Sequence, residues 1–436
     1  MILILGGGLT GLAAARALEA AGEDYLVLER ESEPGGWCRS IFAGRYTFDL
    51  SGHFLHSSDP DVREWILGVP GVRWRNIARD ARIWLRGRLT PYPFQVHLKG
   101  HAPSFVSRCL DDFAAERIQA AVRGERPPEH FADWLLQRFG KSMCEAFFFP
   151  YNRKMWRTPL SKLGYEWTGW SVPVPRFDDL LAGASGETRQ GMGYNSTFYY
   201  PARGGIGSLA GAMSRTLGAR LRTGEEVVRI DLGKKVVLTA GGETLPYRAV
   251  ISTIPLPRLA ACSDGLGTAA RRAAGLLSWV KVLAINMGVR GPGPTPGHWV
   301  YVPESDYPFF RVGFLSNVAR SSAPAGCASL FVEKSFPSGA RVNMDREIES
   351  AVRGLKRIGV LRRGSRIEEL HPVMLDPAYV LFDGHRGKAV NLLTGELRRR
   401  RVFPAGRYGA WDYYGMEKSI SDGLRAAHEA ARIGGR

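Results

Sequence analysis

The sequence predicts an α/β fold that combines a Rossmann-like dinucleotide-binding domain, an inserted helical domain and an antiparallel β-sheet. Three observations carry this prediction. The chain opens with an apolar run at residues 2–5, followed by glycines and an alanine-rich segment, which is the pattern of a strand, a turn and a helix. Residues 60–200 are rich in aromatic and helix-like segments. Residues 279–315 contain several strand-like stretches, which predict the sheet.

The elements follow one another along the chain. After the first strand, Leu9–Ala21 has the apolar spacing of a helix and Tyr25–Glu29 is apolar again, which predicts a βαβ unit. Alternating β-branched residues predict further strands, and helical apolar spacing predicts further helices. We expect strands at Glu226–Ile230, Lys235–Thr239, Ala249–Thr253, Lys281–Val289, Trp299–Val302 and Phe310–Phe314, and helices at Phe131–Phe139, Ser142–Phe149 and Ile420–Ile433.

Length and pattern together predict several domains around a shared site. At 436 residues the chain is too long for one compact core. We assign residues 1–60, 201–275 and 400–436 to a discontinuous dinucleotide-binding domain. Residues 61–200 are assigned to a mainly helical insertion with substrate contacts, and residues 276–399 to a sheet-containing substrate domain.

The composition is that of an ordinary globular protein with an excess of basic residues. No run approaches the roughly 18 to 20 apolar residues that span a bilayer, so no membrane span is expected. Lys and Arg total 59 against 42 for Asp and Glu, a net charge of +17, which favours a small anionic ligand. The basic residues are scattered apart from Arg398–Arg401, and no nucleic-acid-binding motif is present, so we expect no nucleic-acid partner.

The five cysteines lie far apart and form no C-x-x-C pair, so the sequence predicts neither a disulfide framework nor a metal site. The chain begins directly with a strand and shows no basic segment with a cleavage site, so we expect no secretory signal. These features predict a cytoplasmic protein. The sequence leaves its oligomeric state open.

Gly6, Gly8 and Gly11 form a G-x-G-x-x-G pattern between the first strand and the first helix. In this context Gly6 permits a tight turn, Gly8 lets the backbone approach a pyrophosphate, and Gly11 allows the helix to pack closely on the strand. Glu29 ends the second strand, and its carboxylate can accept hydrogen bonds from a ribose 2′-hydroxyl. These residues predict a site for the ADP half of FAD or NAD, at a helix N-terminus that favours negative charge.

A second glycine pair separates these two cofactors. Gly35 and Gly36 resemble the second signature of glutathione-reductase-like flavoproteins, which lies beside the pyrophosphate and ribityl chain. We therefore expect FAD, in an α/β fold with a Rossmann-like FAD-binding domain, an inserted helical domain and a substrate-facing antiparallel β-sheet. The expected cofactor contacts are Gly6, Gly8, Thr10, Gly11, Glu29, Gly35, Gly36, Ser40, His53, Val228, Gly406, Arg407 and Met416.

The remaining motifs resemble a narrower family. Asp49–His53 reads D-x-x-G-H and is similar to the stretch that lies against the isoalloxazine ring in UDP-galactopyranose mutases, especially their eukaryotic-type branch. That family lies within the superfamily of glutathione reductases, amine oxidases and protoporphyrinogen oxidases. Similar blocks recur in the same order over nearly the whole chain, at Pro91–Gln95, Pro150–Trp156, Asn195–Gly205, Trp299–Glu304, Pro308–Arg311 and Gly406–Tyr413.

The resemblance implies a set of catalytic residues. Arg311 would hold the diphosphate of the substrate, because the planar fork of a guanidinium matches phosphate oxygens. Tyr301, Tyr379 and Tyr413 would donate phenolic hydrogen bonds to the same group, and His53 would contact the flavin.

The resemblance also implies substrate and flavin contacts outside this set. Arg407 would lie by the flavin, where a fixed positive charge stabilises an anionic reduced ring. An aromatic face can stack on a base and an amide can bond to its edge. The residues expected to line the substrate pocket in this way are Tyr92, Gln95, Asn152, Trp156 and Asn195.

The function implied is that of a flavin-dependent sugar-nucleotide mutase. Pyranose and furanose would interconvert through N5 of reduced FAD without net redox change, with NADPH or NADH as a transient reductant. A second hypothesis is an FAD-dependent oxidoreductase of the amine-oxidase or protoporphyrinogen-oxidase type, which shares the same FAD-binding frame. A third is a scaffold that keeps FAD for stability only, against which the polar groups expected around the flavin argue.

Two positions depart from the eukaryotic-type pattern. Phe149 stands where that branch has an arginine directly before the P-Y-N block, and Trp84 stands where it often has another. Both changes would remove positive charge from the expected pocket, although Arg153 or Arg176 could replace it in space. The resemblance therefore leaves open a nucleotide sugar other than UDP-galactose, or a substrate that is not a nucleotide.

Overall fold

The computed structural model describes residues 1–169, 172–187, 196–291 and 297–434. Its strands are β1 (Ile2–Leu5), β2 (Tyr25–Glu29), β3 (Ser40–Ala43), β4 (Tyr46–Asp49), β5 (Trp74–Ala78), β6 (Ala81–Leu85), β7 (Arg88–Pro91), β8 (Thr197–Pro201), β9 (Leu221–Thr223), β10 (Val227–Asp231), β11 (Val236–Thr239), β12 (Thr244–Pro246), β13 (Ala249–Ser252), β14 (Ser263–Asp264), β15 (Trp279–Arg290), β16 (Trp299–Tyr301), β17 (Arg311–Phe314), β18 (Cys327–Pro337), β19 (Arg366–Val380) and β20 (Val402–Pro404). Its helices are α1 (Leu9–Ala20), α2 (Pro60–Leu67), α3 (Pro103–Arg123), α4 (Phe131–Phe139), α5 (Lys141–Met143), α6 (Phe149–Trp156), α7 (Phe177–Ser185), α8 (Gly207–Ser214), α9 (Leu256–Cys262), α10 (Thr268–Ala274), α11 (Leu315–Val318), α12 (Met344–Arg357), α13 (Arg386–Arg399), α14 (Gly406–Gly409) and α15 (Met416–Ala431).

The first large sheet is parallel and has the strand order β20-β13-β1-β2-β9. Every residue of β1 is buried, as expected for a parallel strand covered on both faces. Helix α1 packs against α15, and Gly423 of α15 lies so close to the Thr10 carbonyl that a Cβ would overlap it. The predicted Rossmann-like domain is therefore confirmed, and its last helix comes from the end of the chain.

The second large sheet has the order β19-β15-β18-β17-β16-β6-β7 and is antiparallel except where β16 runs parallel to β6. The predicted antiparallel sheet is confirmed, but it extends beyond the expected segment. Strands β6 and β7 come from within residues 61–200, which thus supply strands as well as helices. The domain boundaries remain a prediction.

A long helix differs from the one predicted at Ser142–Phe149. The helix continues from α5 through a π-helical turn at Cys144–Phe148 into α6, and ends at Trp156. Pro150 has no N–H and is expected to end a helix, but the wider turn before it accommodates the missing hydrogen bond. The last helix likewise starts at Met416 rather than at Ile420, because Gly415 provides an extended N-cap.

Two smaller features complete the architecture. Helix α12 packs its apolar side, including Ala351 and Leu355, against the inward residues of the seven-stranded sheet. None of the described helices is long and apolar enough to cross a membrane. Among the described side chains, no group of three or more His, Cys, Asp or Glu residues is placed to hold a metal ion.

Candidate active site

A cavity of about 670 Å³ lies between the five-stranded and the seven-stranded sheet. One wall is formed by the loop between β1 and α1, residues 35–39 and the loop after β4. The opposite wall comes from Val282, Tyr301 and Arg311 of the seven-stranded sheet and from residues 375–379. Residues from the segment 405–416, late in the sequence, form the remaining side of the cavity. Volumes of this size are typical of sites for small ligands and cofactors.

The glycine-rich end of the cavity is built from the two predicted signatures. Gly6 has φ +104°, a conformation that a side chain would oppose. Gly35 donates its N–H to the carbonyl of Gly7 at 2.8 Å, which seats the second glycine pair on the first. A Cβ on Gly8 would meet nothing nearer than Gly36 Cα, at 4.0 Å. The two motifs therefore form one continuous stretch of bare backbone that lines the cavity.

Helix α1 points its N-terminus at this surface. Its N-cap is Gly8, and no side chain caps the first N–H groups. These donors are left for a ligand, and the helix dipole favours an anion there. Thr10, in the first turn, also lines the cavity.

Glu29 lies at the other side of the same loop. Its carboxylate accepts hydrogen bonds from the backbone N–H groups of Gly7, at 2.6 Å, and Glu31, at 2.9 Å. The residue is buried but lines the cavity. A carboxylate has about four acceptor positions, so Glu29 retains capacity for a ribose hydroxyl.

Three predicted cofactor contacts, Gly11, Ser40 and Val228, do not line the cavity. A Cβ on Gly11 would overlap the carbonyl oxygen of Gly6, so Gly11 serves the close packing of the helix rather than the ligand. The Ser40 hydroxyl donates to Asp49 Oδ1 at 2.7 Å and accepts from the N–H of Gly207 at 2.9 Å, so it is used inside the protein. Val228 points outward with 43% of its surface exposed, whereas Val227 lines the cavity. Successive residues of a strand face opposite sides, and the prediction chose the wrong one of the two.

His53 lies on the loop after β4 and lines the cavity. Its Nδ1 is 3.1 Å from the carbonyl oxygen of Ser51. Because a carbonyl only accepts, Nδ1 carries the proton and Nε2 keeps its lone pair. Burial, together with the nearby charge of Arg407, lowers the pKa of His53 to about 4. The ring is therefore neutral at pH 7.

Arg311 opens β17, directly opposite Glu333 on β18. Its Nη2 donates to Glu333 Oε1 at 2.8 Å and its Nε donates to Oε2, which makes the pair bidentate. The Ser51 hydroxyl also donates to Glu333 Oε1. Burial alone would raise the pKa of Glu333, but Arg311 outweighs it and holds that pKa below its ordinary value. Both groups are charged, and the guanidinium has a fixed orientation.

Three tyrosines and a second arginine complete this end of the cavity. The ring centroids of Tyr379 and Tyr413 are 5.6 Å apart, and the guanidinium carbon of Arg407 lies 5.2 Å and 4.8 Å from them. Arg407 donates to the carbonyls of Ala378 and Tyr414, while its Nε is buried without a partner among the described atoms. Burial raises the pKa of both phenols, so each keeps its proton for donation. Tyr301 lines the same region, so the structure brings the five predicted catalytic residues together.

The predicted substrate contacts are divided. Tyr92 lines the cavity, with its ring 5.3 Å from that of Tyr301 and 4.8 Å from the guanidinium carbon of Arg79. Gln95 is only 2% exposed, does not line the cavity and donates to the carbonyl of Pro173 at 2.9 Å. One face of the Tyr92 ring is therefore covered by Arg79, and the Gln95 amide already has a partner within the protein.

Asn152 and Trp156 lie behind the cavity wall rather than on it. Asn152 Oδ1 accepts from the indole N–H of Trp156 at 3.1 Å, and its Nδ2 donates to Phe148 O at 2.8 Å. Trp156 packs edge-on against Tyr379 and Tyr413, with ring centroids 5.9 and 6.0 Å apart. Both residues are one helical turn apart on α6 and support the tyrosines. Asn195 lies outside the described residues.

The two departures from the mutase pattern lie away from the cavity. The indole N–H of Trp84 donates to the Tyr307 hydroxyl at 3.1 Å, on the far side of the sheet. Phe149 packs under Arg153, and neither of these two residues lines the cavity. The expected loss of positive charge from the pocket therefore stays a prediction.

Sequence reasoning missed two charged residues. Arg79 lines the cavity at the end that holds the tyrosines. It adds a cation to those of Arg311 and Arg407. Glu333 fixes Arg311. Neither lies in a motif quoted above, and the pairing of Glu333 with Arg311 becomes visible only from the strand register.

Comparison with known proteins gives the family of this fold. A sequence profile described as flavin containing amine oxidoreductase matches residues 9–332. The all-trans-zeta-carotene desaturase of Myxococcus xanthus is 26% identical over 295 residues, which are 57% of this chain and 51% of that protein. The chain spans about half the length of the curated relatives it matches.

Solved structures resemble the chain over its whole length. A reduced UDP-galactopyranose mutase superposes with a TM-score of 0.90 at 28% identity, covering 100% of this chain and 94% of that one. The cyclohexylamine oxidase of Brevibacterium oxydans superposes with a TM-score of 0.70 at 16% identity, covering 100% and 99%. The second likeness concerns the fold alone.

Proposed function

The chain belongs to the flavin containing amine oxidoreductase family, and we propose that it acts as a flavin-dependent mutase that interconverts the pyranose and furanose forms of a nucleotide sugar. The observation that carries this proposal is the donor set of Arg311, Tyr301, Tyr379 and Tyr413 at one end of the cavity. Such a set suits the oxygens of a diphosphate. The TM-score of 0.90 and 28% identity to a reduced UDP-galactopyranose mutase support the same reaction.

Arg311 stabilises the leaving diphosphate in this proposal. Glu333 engages Nε and Nη2, which directs the Nη1 hydrogens toward a ligand. The orientation is set before the substrate arrives, so no reorganisation is needed as negative charge develops on the leaving oxygen. The protonated phenols of Tyr379 and Tyr413 add neutral donors beside it.

His53 and Arg407 act on the cofactor side. Neutral His53 presents an acceptor at Nε2, because its Nδ1 proton is held by Ser51 O. Arg407 supplies a fixed positive charge, which stabilises negative charge on a bound ring system. Together these residues orient the cofactor and bias its charge.

The residues present fit a flavin dinucleotide. The bare backbone of Gly8 and Gly36 accommodates a pyrophosphate, the uncapped N-terminus of α1 donates to it, and the orphaned buried Nε of Arg407 awaits an acceptor. Glu29 would hold the ribose. When bound in reduced form, the flavin supplies the nucleophilic nitrogen for displacement at the anomeric carbon.

Charge favours this reaction over amine oxidation. Arg79, Arg311 and Arg407 line the cavity, and of these Arg311 is paired with a buried carboxylate. Asp376 also lines the cavity and offsets a further charge, and the positive charge that remains attracts a diphosphate and opposes the ammonium of an amine substrate. An oxidoreductase acting on a neutral substrate is the second candidate, and the 26% identity to a carotene desaturase favours it.

The proposal is tested with the flavin-loaded protein and a panel of UDP-, GDP-, TDP- and ADP-sugars. We expect dithionite-reduced protein to form a furanose product from at least one of them, and oxidised protein to form none. Parallel reactions with NADPH or NADH in place of dithionite test the predicted transient reductant. Arg311→Lys is expected to lower kcat/KM by about a hundredfold, because an ammonium cannot keep the bidentate pair with Glu333 and also present a fixed donor to the ligand.

Two results would count against the mutase. Absence of product from every panel member with reduced protein would exclude nucleotide sugars as substrates. Release of hydrogen peroxide with an amine or a reduced ring compound, in the same preparation, would favour the oxidoreductase instead.

A further inference from the structure

Lys154 on α6 is a largely buried lysine bound to backbone carbonyls. Its Nζ donates to the carbonyl of Val302 at 2.7 Å and to that of Glu304 at 2.8 Å. Desolvation by burial lowers the pKa of Lys154 to about 7, and the nearby charges of Glu304 and Asp306 only partly oppose this. Burying an ammonium is costly unless it is well hydrogen-bonded, so this contact holds α6 and the bound segment together.

The bound segment connects two residues of the candidate active site. Tyr301 is the last residue of β16 and Arg311 is the first of β17, and residues 302–310 join them. The two carbonyls held by Lys154 therefore lie one and three residues after Tyr301. A shift of this segment would move the Tyr301 phenol relative to the Arg311 guanidinium, which Glu333 holds.

A second residue of α6 contacts both flanks of this connection. Tyr151, one helical turn before Lys154, packs edge-on against Tyr301, with centroids 5.4 Å apart, and against Phe310, with centroids 6.2 Å apart. The Glu304 side chain has a second partner, since its Oε1 accepts from the N–H of Arg86, between β6 and β7, at 2.6 Å. Lys154 thus fixes the part of the connection next to β16.

We propose that Lys154 is a positioning residue that, by holding the carbonyls of residues 302 and 304, sets the Tyr301 phenol for the substrate relative to Arg311, which Glu333 holds. The inference rests on the proposed function, because those two side chains matter only if a ligand binds between them. Tyr301 and Arg311 are proposed to hold the diphosphate of the substrate and not the flavin. Loss of both Lys154 hydrogen bonds is therefore expected to weaken substrate binding and to leave flavin binding unchanged.

The test compares Lys154→Met with Arg153→Met in the flavin-loaded full chain. Arg153 is the adjacent residue of α6, and its guanidinium stacks on Phe149, so it is the matched control. For Lys154→Met we expect faster hydrogen–deuterium exchange at residues 299–311 and a KM for the reactive nucleotide sugar raised about tenfold, with a smaller change in kcat. The flavin spectrum is expected to match that of Arg153→Met. Lys154→Arg, which keeps a cation with several donors, is expected to restore most of the KM.

Exchange and KM indistinguishable between Lys154→Met and Arg153→Met would overturn the inference. If Lys154→Met does not fold, Lys154→Gln, which keeps one amide donor, is measured with the same readouts and judged in the same way. Hydrogen–deuterium exchange reports on the contact between Lys154 and residues 302–304 without any substrate. If the wild type converts no nucleotide sugar, the proposed function fails. If exchange at residues 299–311 is nevertheless faster only in the Lys154 variant, the structural role of Lys154 is still supported.

Discussion

Arg311 owes its orientation to Glu333, and this pair explains how a buried cation can await an anionic ligand. The Glu333 side chain is 1% exposed and that of Arg311 is 17% exposed. A lone charge at such a position would cost several kcal/mol, whereas a bidentate pair offsets that cost. The Ser51 hydroxyl joins Glu333 to the loop that carries His53, so substrate and flavin residues share one support.

The first prediction concerns this pair. Glu333→Gln leaves Arg311 buried without a counter-charge, and we expect it to lower the free energy of unfolding by about 3 kcal/mol, measured by urea denaturation. The double change Arg311→Met with Glu333→Gln removes both charges and is expected to recover most of that loss.

Glu368→Gln is the matched control, because it breaks an Arg–Glu pair whose arginine, Arg290, is 61% exposed. We expect that variant to lose much less stability than Glu333→Gln, because solvent screens an exposed pair. Equal losses at Glu333 and Glu368 would contradict the view that burial makes the Arg311 pair special.

The second prediction concerns His53. Its pKa is lowered to about 4 in the folded protein, so between about pH 6.5 and pH 4 the unfolded chain binds a proton that the folded chain does not. The contribution of His53 to stability is therefore complete above pH 6.5 and is lost as the pH falls toward 4. His53→Asn removes the titration.

Urea denaturation of wild type and His53→Asn from pH 4 to pH 8 checks this sign. The difference in unfolding free energy between them is expected to shift in favour of the variant as the pH falls. Asp49 acts in the opposite direction, because burial raises its pKa to about 6, but it is present in both proteins and cancels in the difference. A difference that does not vary with pH would show that His53 titrates normally.

At the scale of elements, α6 is the common support of the candidate catalytic groups. Tyr151 and Lys154 contact the connection between β16 and β17, while Trp156 packs against Tyr379 and Tyr413. The Pro150–Trp156 motif therefore shapes the site from behind. Sequence resemblance located the motif, but side-chain direction depends on the π turn that precedes it.

The third prediction concerns the βαβ unit. A Cβ on Gly8 meets no atom closer than 4.0 Å, whereas a Cβ on Gly11 overlaps the Gly6 carbonyl oxygen. We expect Gly8→Ala to fold but to lose bound flavin, because its methyl group occupies the place of a pyrophosphate. Gly11→Ala is expected to be destabilised as a protein.

Flavin content and thermal unfolding of the purified variants separate the two effects. Gly211→Ala, on α8 with open space around its Cα, is the control and is expected to match or slightly exceed the wild-type Tm. Full flavin content in Gly8→Ala would contradict the assignment of this loop to the cofactor.

On the scale of the whole molecule, the site depends on two sheets that the sequence joins from distant segments. The Rossmann-like unit was predictable because its glycines, strand and helix are adjacent in sequence. Four of the five catalytic candidates lie in the quoted motifs, whereas Tyr379 was implied by the family resemblance alone, and all five line the cavity. The identities of those four come from local patterns, but their neighbours do not.

The other features of the site depend on tertiary contacts, which a local sequence pattern does not predict. Ser40 and Gln95 have the right chemistry for ligands, yet internal partners already use their polar groups. Glu333 was missed because only the register of β17 and β18 places it beside Arg311. Phe149 and Trp84 suggested a changed pocket, but neither of them lines the cavity.

An anaerobic spectroscopic assay tests the central claim most directly, because a mutase leaves the flavin in the redox state in which it started. Reduced, flavin-loaded protein is mixed with the nucleotide sugar that reacts in the panel, and the visible absorbance of oxidised flavin is followed while product is quantified. We predict that furanose accumulates over many turnovers while the flavin stays reduced. Conversion that requires oxidised flavin, with the flavin becoming reduced as substrate is consumed, would contradict the account and identify an oxidoreductase.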